Sequence, residues 1–270
     1  MEFMVDSERC VRCGACIQEC PTGLLIMGDE GPKKGRGGCI LCGHCVAVCP
    51  TEAIDYDGTP RAQQVDLRDY KTLSAEEAEL FLRSRRSVRQ FSKKQVSKEE
   101  ITRLLNVARM APTSTNTQGV SYMVIQNPET IAKIRQHVTT WMESMSKLYA
   151  QMRIYYRTIT LYEKTHNRDP LFHEAPTLVF ALAPKRNFER GLESSHFCLS
   201  YAELFAPSLG LGTCWSGFAE YCGKVDYEPL VELLQIPDDK RIGGAIVVGY
   251  PTHTFRRAPE RRPLEVTFDK

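Results

Sequence analysis

The pattern of apolar and polar residues divides the chain at one stretch that has no period. Residues 58–73, GTPRAQQVDLRDYKTL, carry turn-forming and charged residues without regular apolar spacing and read as a linker. Helical signals begin beyond it. Ser74, with Glu77 three positions on, predicts a capped helix start. Ser97 and Glu100 repeat the pattern, followed by Ile101, Leu104, Leu105 and Ala108 at helical spacing, and this helix should stop before Pro112. Asn127 and Pro128 open a third helix, a cap followed by proline at the first position. Apolar runs at 122–125, 177–183 and 245–248 predict strands. They are too few and too interrupted for a regular βαβ series. Helices mixed with a central antiparallel sheet fit better, which is an α+β fold. The chain thus reads as a small domain at 1–60, a linker at 61–74 and a larger domain at 75–270.

The small domain carries its own chemistry. Cys10, Cys13, Cys16 and Cys20 are spaced C-x2-C-x2-C-x3-C, and Cys39, Cys42, Cys45 and Cys49 repeat that spacing at an offset of 29. Gly14/Gly43, Pro21/Pro50 and Thr22/Thr51 repeat with them, which marks duplication of one unit. Four cysteines ending in Cys-Pro is not a zinc spacing, and a disulfide framework needs an oxidising compartment. The N-terminal MEFMVDSERC is acidic and lacks the apolar stretch of a signal peptide. Residues 1 to about 60 resemble bacterial 2[4Fe–4S] ferredoxins. In that pattern the fourth cysteine of each run serves the other cluster. The resemblance therefore assigns Cys10, Cys13, Cys16 and Cys49 to one [4Fe–4S] cluster, and Cys20, Cys39, Cys42 and Cys45 to the second.

Composition changes the picture little, but charge sharpens it. With 270 residues, 42% hydrophobic and 25% charged, the chain has the make-up of a globular protein, and no apolar run approaches the length of a membrane span. The net charge of +2 hides an asymmetry. Residues 1–60 hold 5 basic and 9 acidic residues, or −4, and the remainder holds 30 and 24, or +6. An acidic electron carrier is joined to a basic domain, which suits docking between them. The basic residues do not interleave with aromatics in a nucleic-acid-binding module, so no nucleic-acid partner is expected.

In the larger domain neither GxGxxG nor a Walker A loop occurs, which argues against a Rossmann nicotinamide site. Three short segments occur in order: Arg85-Arg86-Ser87-Val88-Arg89, Pro112-Thr-Ser-Thr-Asn-Thr-Gln118, and Leu209-Gly-Leu-Gly-Thr-Cys-Trp-Ser-Gly-Phe218. Val248-Gly-Tyr-Pro251 and a basic tail follow. Over residues about 75–270 this set resembles the nitroreductase family of FMN enzymes, which implies a mixed sheet surrounded by helices. By that resemblance Arg85, Arg86, Ser87 and Arg89, with Arg261, hold the FMN phosphate; guanidinium and hydroxyl donors suit a dianion. Pro112, Thr113, Ser114, Asn116 and Gln118 reach the flavin of a partner subunit, and Ser216 and Gly217 present backbone N–H groups to the ring beside Cys214 and Trp215. Plainer readings stand beside these. The arginines also suit a solvated basic face, the 112–118 segment an ordinary helix-ending loop, and Cys214 and Trp215 simple core packing. Cys198 and Cys222 read as buried thiols. Residues 141–172, rich in Trp, Met, Tyr and Phe, fit either core or a roof over the flavin.

Together these readings predict a cytoplasmic homodimeric oxidoreductase. It would take electrons from an external donor such as a ferredoxin, through two clusters and FMN, to a small substrate. The fused ferredoxin puts direct use of a nicotinamide in doubt. An electron-transfer or redox-sensing module without its own substrate, and a flavin-dependent dehalogenase or dehydrogenase on the same scaffold, are the rival readings.

Overall fold

The computed structural model describes residues 2–269. The chain folds as two compact units, one of residues 1–72 with 115–117, the other of residues 73–114 and 118–270.

The first unit is built from two small antiparallel pairs. β1 (Phe3–Val5) pairs with β4 (Ile54–Tyr56), and β2 (Leu25–Gly28) pairs with β3 (Gly31–Lys34). Two single-turn helices, α1 (Ala15–Gln18) and α2 (His44–Ala47), follow the cysteine-rich loops. The duplication read from the cysteines extends to the backbone. Arg12 and Leu41 share a left-handed conformation (φ 54° and 55°), as do Gly23 and Glu52 (63° and 53°). Gly14 and Gly43 precede the helices at φ 77° and 73°, where a side chain would be strained. A small core of Cys16, Leu25, Val46, Ile54 and Tyr56 closes the unit. Within it the Asn116 amide donates to the carbonyls of Ile40 and Leu41 at 2.8 and 2.9 Å.

The second unit begins with α3 (Ala75–Ser84) and α4 (Lys98–Ala108), each opened by the expected capping box. Then come β5 (Ser121–Ile125), α5 (Pro128–Leu148) capped by Asn127, α6 (Ala150–His166) and β6 (Thr177–Pro184). After α7 (Phe188–Phe205), β7 (Gly212–Trp215), α8 (Gly217–Lys224) and α9 (Glu228–Leu234), β8 (Lys240–Gly249) completes the sheet. Sheet order is β5-β6-β8-β7, with all ladders antiparallel. The mixed sheet implied by the family is represented by a single parallel bridge, Ser87 with Thr213.

Alternation sorts the central strands onto two buried faces. Val179, Ala181, Ile246 and Val248 pack with Leu104 and Leu199 on one side. Leu178, Phe180, Leu182 and Val247 pack with Ile134, Val138 and Met142 on the other. Full burial of each large side chain contributes about 1.5–3 kcal/mol. β7 was missed as a strand because its run is four residues long and glycine-flanked. Among the described residues no helix is long and apolar enough to cross a membrane.

Candidate functional site

The first unit brings its thiols into two rings. One cavity is lined by Cys10, Cys13, Cys16 and Cys49, the other by Cys20, Cys39, Cys42 and Cys45. Each therefore takes three cysteines from one run and the last cysteine of the other. Pro50 and Ile54 close the first, and Leu24, Leu25 and Tyr56 the second, so both walls are largely apolar. Among the described residues no three His, Cys, Asp or Glu side chains converge where a single ion would sit. Sulfurs spread around a cavity, four to a ring, suit a polynuclear group instead.

The two crossing cysteines have matched surroundings. Cys20 lies 3.6 Å from the Thr22 hydroxyl and Cys49 lies 3.8 Å from the Thr51 hydroxyl, and the Ala53 N–H donates to the Cys49 sulfur at 3.2 Å. Burial pushes both thiols up, but these hydroxyl and backbone donors outweigh it and hold both below the ordinary thiol range. Cys45 lacks that balance. Burial, reinforced by Cys42 and Cys39, pushes it up to about 11.

The second unit holds an open cavity of about 830 Å³. Its floor includes Cys214, Trp215, Ser216 and Gly217, where β7 turns into α8. Arg89 enters from the segment after α3. Trp141 and Met145 of α5, with Tyr149, Gln151, Met152 and Tyr155 at and beyond the α5–α6 junction, form another wall. Residues 141–172 are thus divided between two roles. Met142 is buried in core, Trp141 is buried there and also borders the cavity, and Gln151, Met152 and Tyr155 of α6 line the cavity, with no residue of α6 fully buried.

The β7–α8 turn follows from its bonding. The Ser216 N–H donates to the Ala245 carbonyl at 2.8 Å, which anchors the turn to β8. That N–H is consequently occupied. Gly217, the first residue of α8, has no intrahelical acceptor for its N–H and is the turn's available backbone donor.

Of the other expected residues, Arg85, Arg86 and Ser87 share the Arg89 segment but stand outside the cavity lining. Ser87 pairs with Thr213, and the Val88 N–H donates to the Thr213 carbonyl at 2.8 Å, which docks the segment on β7. Arg85 lies 3.6 Å from Glu203, a buried carboxyl that also accepts from the Thr213 hydroxyl at 3.2 Å. Burial raises the pKa of Glu203 despite both partners. Arg86 donates to the carbonyls of Arg85 and Arg83, both at 2.7 Å, and its Nε is buried without a partner. Pro112, Thr113, Ser114 and Gln118 lie on the loop after α4, outside the cavity lining. There Thr113 accepts from the Gln118 N–H at 3.0 Å. Thr115, Asn116 and Gln118 are left-handed (φ 53°, 51° and 49°), a strained run for non-glycine residues. Arg261 lies in an exposed tail.

Sequence reading missed three polar residues at or behind the cavity. His173 lines it, left-handed at φ 57°. Burial, then Arg89 and Arg168, pushes its imidazole down to about 4, so it is neutral at pH 7. Glu220 and His196 stand behind Trp215, where the Trp215 Nε1–H donates to Glu220 at 2.6 Å. All three come from helices or loops with no motif spacing around them.

Comparison with known proteins places this geometry. Residues 3–66 match the 4Fe-4S dicluster domain, and residues 82–250 match the nitroreductase family. A relative from Archaeoglobus fulgidus, named for NADH dehydrogenase/NAD(P)H nitroreductase activity, is 25% identical over 179 residues, covering 65% of this chain and 86% of its own. Among solved structures, a Bacteroides fragilis nitroreductase with bound FMN aligns with a TM-score of 0.59 at 16% identity, over 72% of this chain and 99% of that one. A Desulfitobacterium hafniense nitroreductase with bound FMN gives 0.57 at 19% identity, over 70% and 96%. A BluB-like flavoprotein from Clostridium difficile gives 0.57 at 22%, over 72% and 99%. With most of the second unit matched in sequence and its sheet and helices matched in space, the chain belongs to the nitroreductase family, with a dicluster iron–sulfur domain fused in front.

Proposed function

We propose that this protein is an iron–sulfur flavoprotein oxidoreductase that carries two [4Fe–4S] clusters in its first unit and FMN in its second. The observation that carries the reading is the walled, open-mouthed cavity, which unites Arg89 and the Cys214–Gly217 turn with the aromatic and thioether side chains of residues 141–155. A pure electron carrier needs an exposed flavin edge. A walled volume of about 830 Å³ gives a small organic substrate a place beside a cofactor.

Cys10, Cys13, Cys16 and Cys49 would hold one cluster, and Cys20, Cys39, Cys42 and Cys45 the other. Arg89 is the guanidinium on the cavity and offers a charge-assisted contact to an anionic cofactor. Arg85 and Arg86 brace the same segment, and Ser87 ties it to Thr213 beneath the cavity floor. The Gly217 N–H would be a backbone donor to the flavin ring, and Tyr149, Met152 and Tyr155 would shield the ring from water. The Pro112, Thr113, Ser114, Asn116 and Gln118 loop and Arg261 would complete the site from a partner subunit. When bound, the clusters supply one-electron transfer and FMN supplies the exchange between one-electron and two-electron chemistry, so that a low-potential donor can serve a two-electron reduction. His173, neutral beside Arg89, offers hydrogen bonding in the cavity without adding charge.

A second copy of the chain completes the assembly in this reading. Helix α3 buries no residue, and Leu80, Phe81 and Leu82 are exposed on it. Residues 251–269 are all exposed and include Phe255, Leu264, Val266 and Phe268. A partner subunit would cover these apolar side chains.

Protein purified without oxygen should contain about eight iron, about eight sulfide and about one FMN per chain. It should sediment as a dimer. Zinc alone, or about four iron after reconstitution, would refute the two-cluster assignment. A monomer that holds FMN tightly would refute a site shared between subunits.

A further inference from the structure

We infer that Glu220, held by His196, is a positioning residue that fixes Trp215, and with it the β7–α8 turn that lines the cavity; this rests on the cofactor reading above. Trp215 ends β7, the last strand in the sheet order, whose other side carries only the isolated Ser87–Thr213 bridge two residues before it. Trp215 borders the cavity, and its ring packs with Leu199 and Ile246 on the far side of the sheet, so the indole anchors the turn that lines the cavity. Its orientation is set by a hydrogen bond from its Nε1–H to Glu220 Oε2 at 2.6 Å. The other carboxylate oxygen, Oε1, accepts from His196 Nε2 at 3.0 Å. The His196 ring also stands edge-on to the indole, 5.1 Å between centroids and 85° between planes.

The triad joins three elements. Trp215 closes β7, Glu220 lies in the first turns of α8, and His196 lies on α7. The Glu220 N–H donates to the Ser216 carbonyl at 3.0 Å, so the same residue closes the turn that carries Ser216 and Gly217. Only 8% of the Glu220 side chain is exposed, against 42% for His196. A buried carboxylate is costly unless its oxygens are paired, and here each has a nitrogen donor. An apolar side chain of equal size would fill the space without orienting the indole. The directional bond is what separates a positioning residue from filler.

The test uses the full-length protein, with Trp141→Phe as the parent so that Trp215 is the only indole. Glu220→Gln, Glu220→Leu and His196→Ala are compared by ultraviolet resonance Raman of the indole N–H, without flavin, and by FMN titration. Glutamine keeps an acceptor for the indole, so its N–H signature should persist, with FMN affinity within about threefold of the parent. Leucine removes the acceptor; the hydrogen-bonded signature should vanish and FMN should bind about tenfold or more weakly. His196→Ala, at a half-exposed position that leaves the core intact, should weaken the signature and lower FMN affinity to an intermediate degree. An unchanged signature and affinity in Glu220→Leu would overturn the inference. Equal losses in Glu220→Gln and Glu220→Leu would also overturn it, because the effect would then lie in the buried charge. If the unsubstituted full-length protein binds no FMN, the cofactor reading fails, and the indole signature in the Trp141→Phe background still decides whether Glu220 orients Trp215.

Discussion

The two units build their sites in opposite ways. In the first, each thiol ring draws on two runs of eleven residues, and every chemical group lies on the repeated motif. In the second, the cavity gathers residues from Arg89 to Val225, contributed by a docking segment, three helices, a loop and an edge strand. The thiol rings need only a tight local backbone, which the left-handed pairs at 12/41, 14/43 and 23/52 provide. The cavity needs the whole sheet, because Arg89 meets the β7–α8 turn through the Ser87–Thr213 pairing and the Val88 N–H bond to Thr213. Local sites should therefore fail one at a time, and the assembled site should respond to changes far from it in sequence.

The largest expected effect tests the independence of the rings. Cys42→Ala should remove about half of the iron and sulfide and leave FMN in place. Loss of flavin along with the iron would show that the two sites are not separately built. The next effect concerns the cavity. Arg89→Ala should weaken FMN by about 1.5–3 kcal/mol, roughly 10- to 150-fold, through loss of one charge-assisted contact. Arg86→Ala should act more on stability, since both of its terminal guanidinium nitrogens donate to the carbonyls of Arg83 and Arg85. The reverse order of effects on affinity would move the anion site from Arg89 to Arg86.

A third effect is set by His173. Its folded pKa lies near 4, below the ordinary 6.5, so the unfolded chain binds more protons between those values. Its contribution to stability is therefore complete above pH 6.5 and lost as pH falls toward 4. His173→Asn should flatten this decline by on the order of 1 kcal/mol, the partly exposed ring being screened by solvent, in denaturant titrations run across that window. Parallel curves for the two proteins would contradict the burial of His173. The smallest effect belongs to the caps. Ser97→Ala breaks the box with Glu100 and should cost about 1 kcal/mol, with no change in cofactor content.

The same contrast explains what could be read from residues alone. The cysteine spacing is local and repeated, so the resemblance to two-cluster ferredoxins that it carries already implies the grouping of Cys49 with Cys10 and of Cys20 with Cys39. Capping boxes at Ser74 and Ser97 are equally local and were legible. β7 was not, because four residues with glycines around them carry no period, and its strand character comes from pairing with β8. Glu220, His196 and His173 stayed hidden for a related reason. Each acts across the fold, and neither Glu220 in α8 nor His196 in α7 differs in sequence context from a solvated helix residue. The two arginines beside Arg89 show the converse. Arg85 and Arg86 carry the right chemistry for a phosphate, yet Glu203 and backbone carbonyls engage their guanidinium groups in this structure.

The central claim is that the iron–sulfur unit exists to supply the flavin. The most direct test is the rate at which a reduced ferredoxin-type protein reduces bound FMN, followed anaerobically by stopped flow in the full chain and in a Cys13→Ala, Cys42→Ala variant. The account predicts that the variant keeps FMN, still passes electrons to an acceptor after chemical reduction, and is no longer reduced by the protein donor. Equal rates of flavin reduction in the two proteins would contradict it.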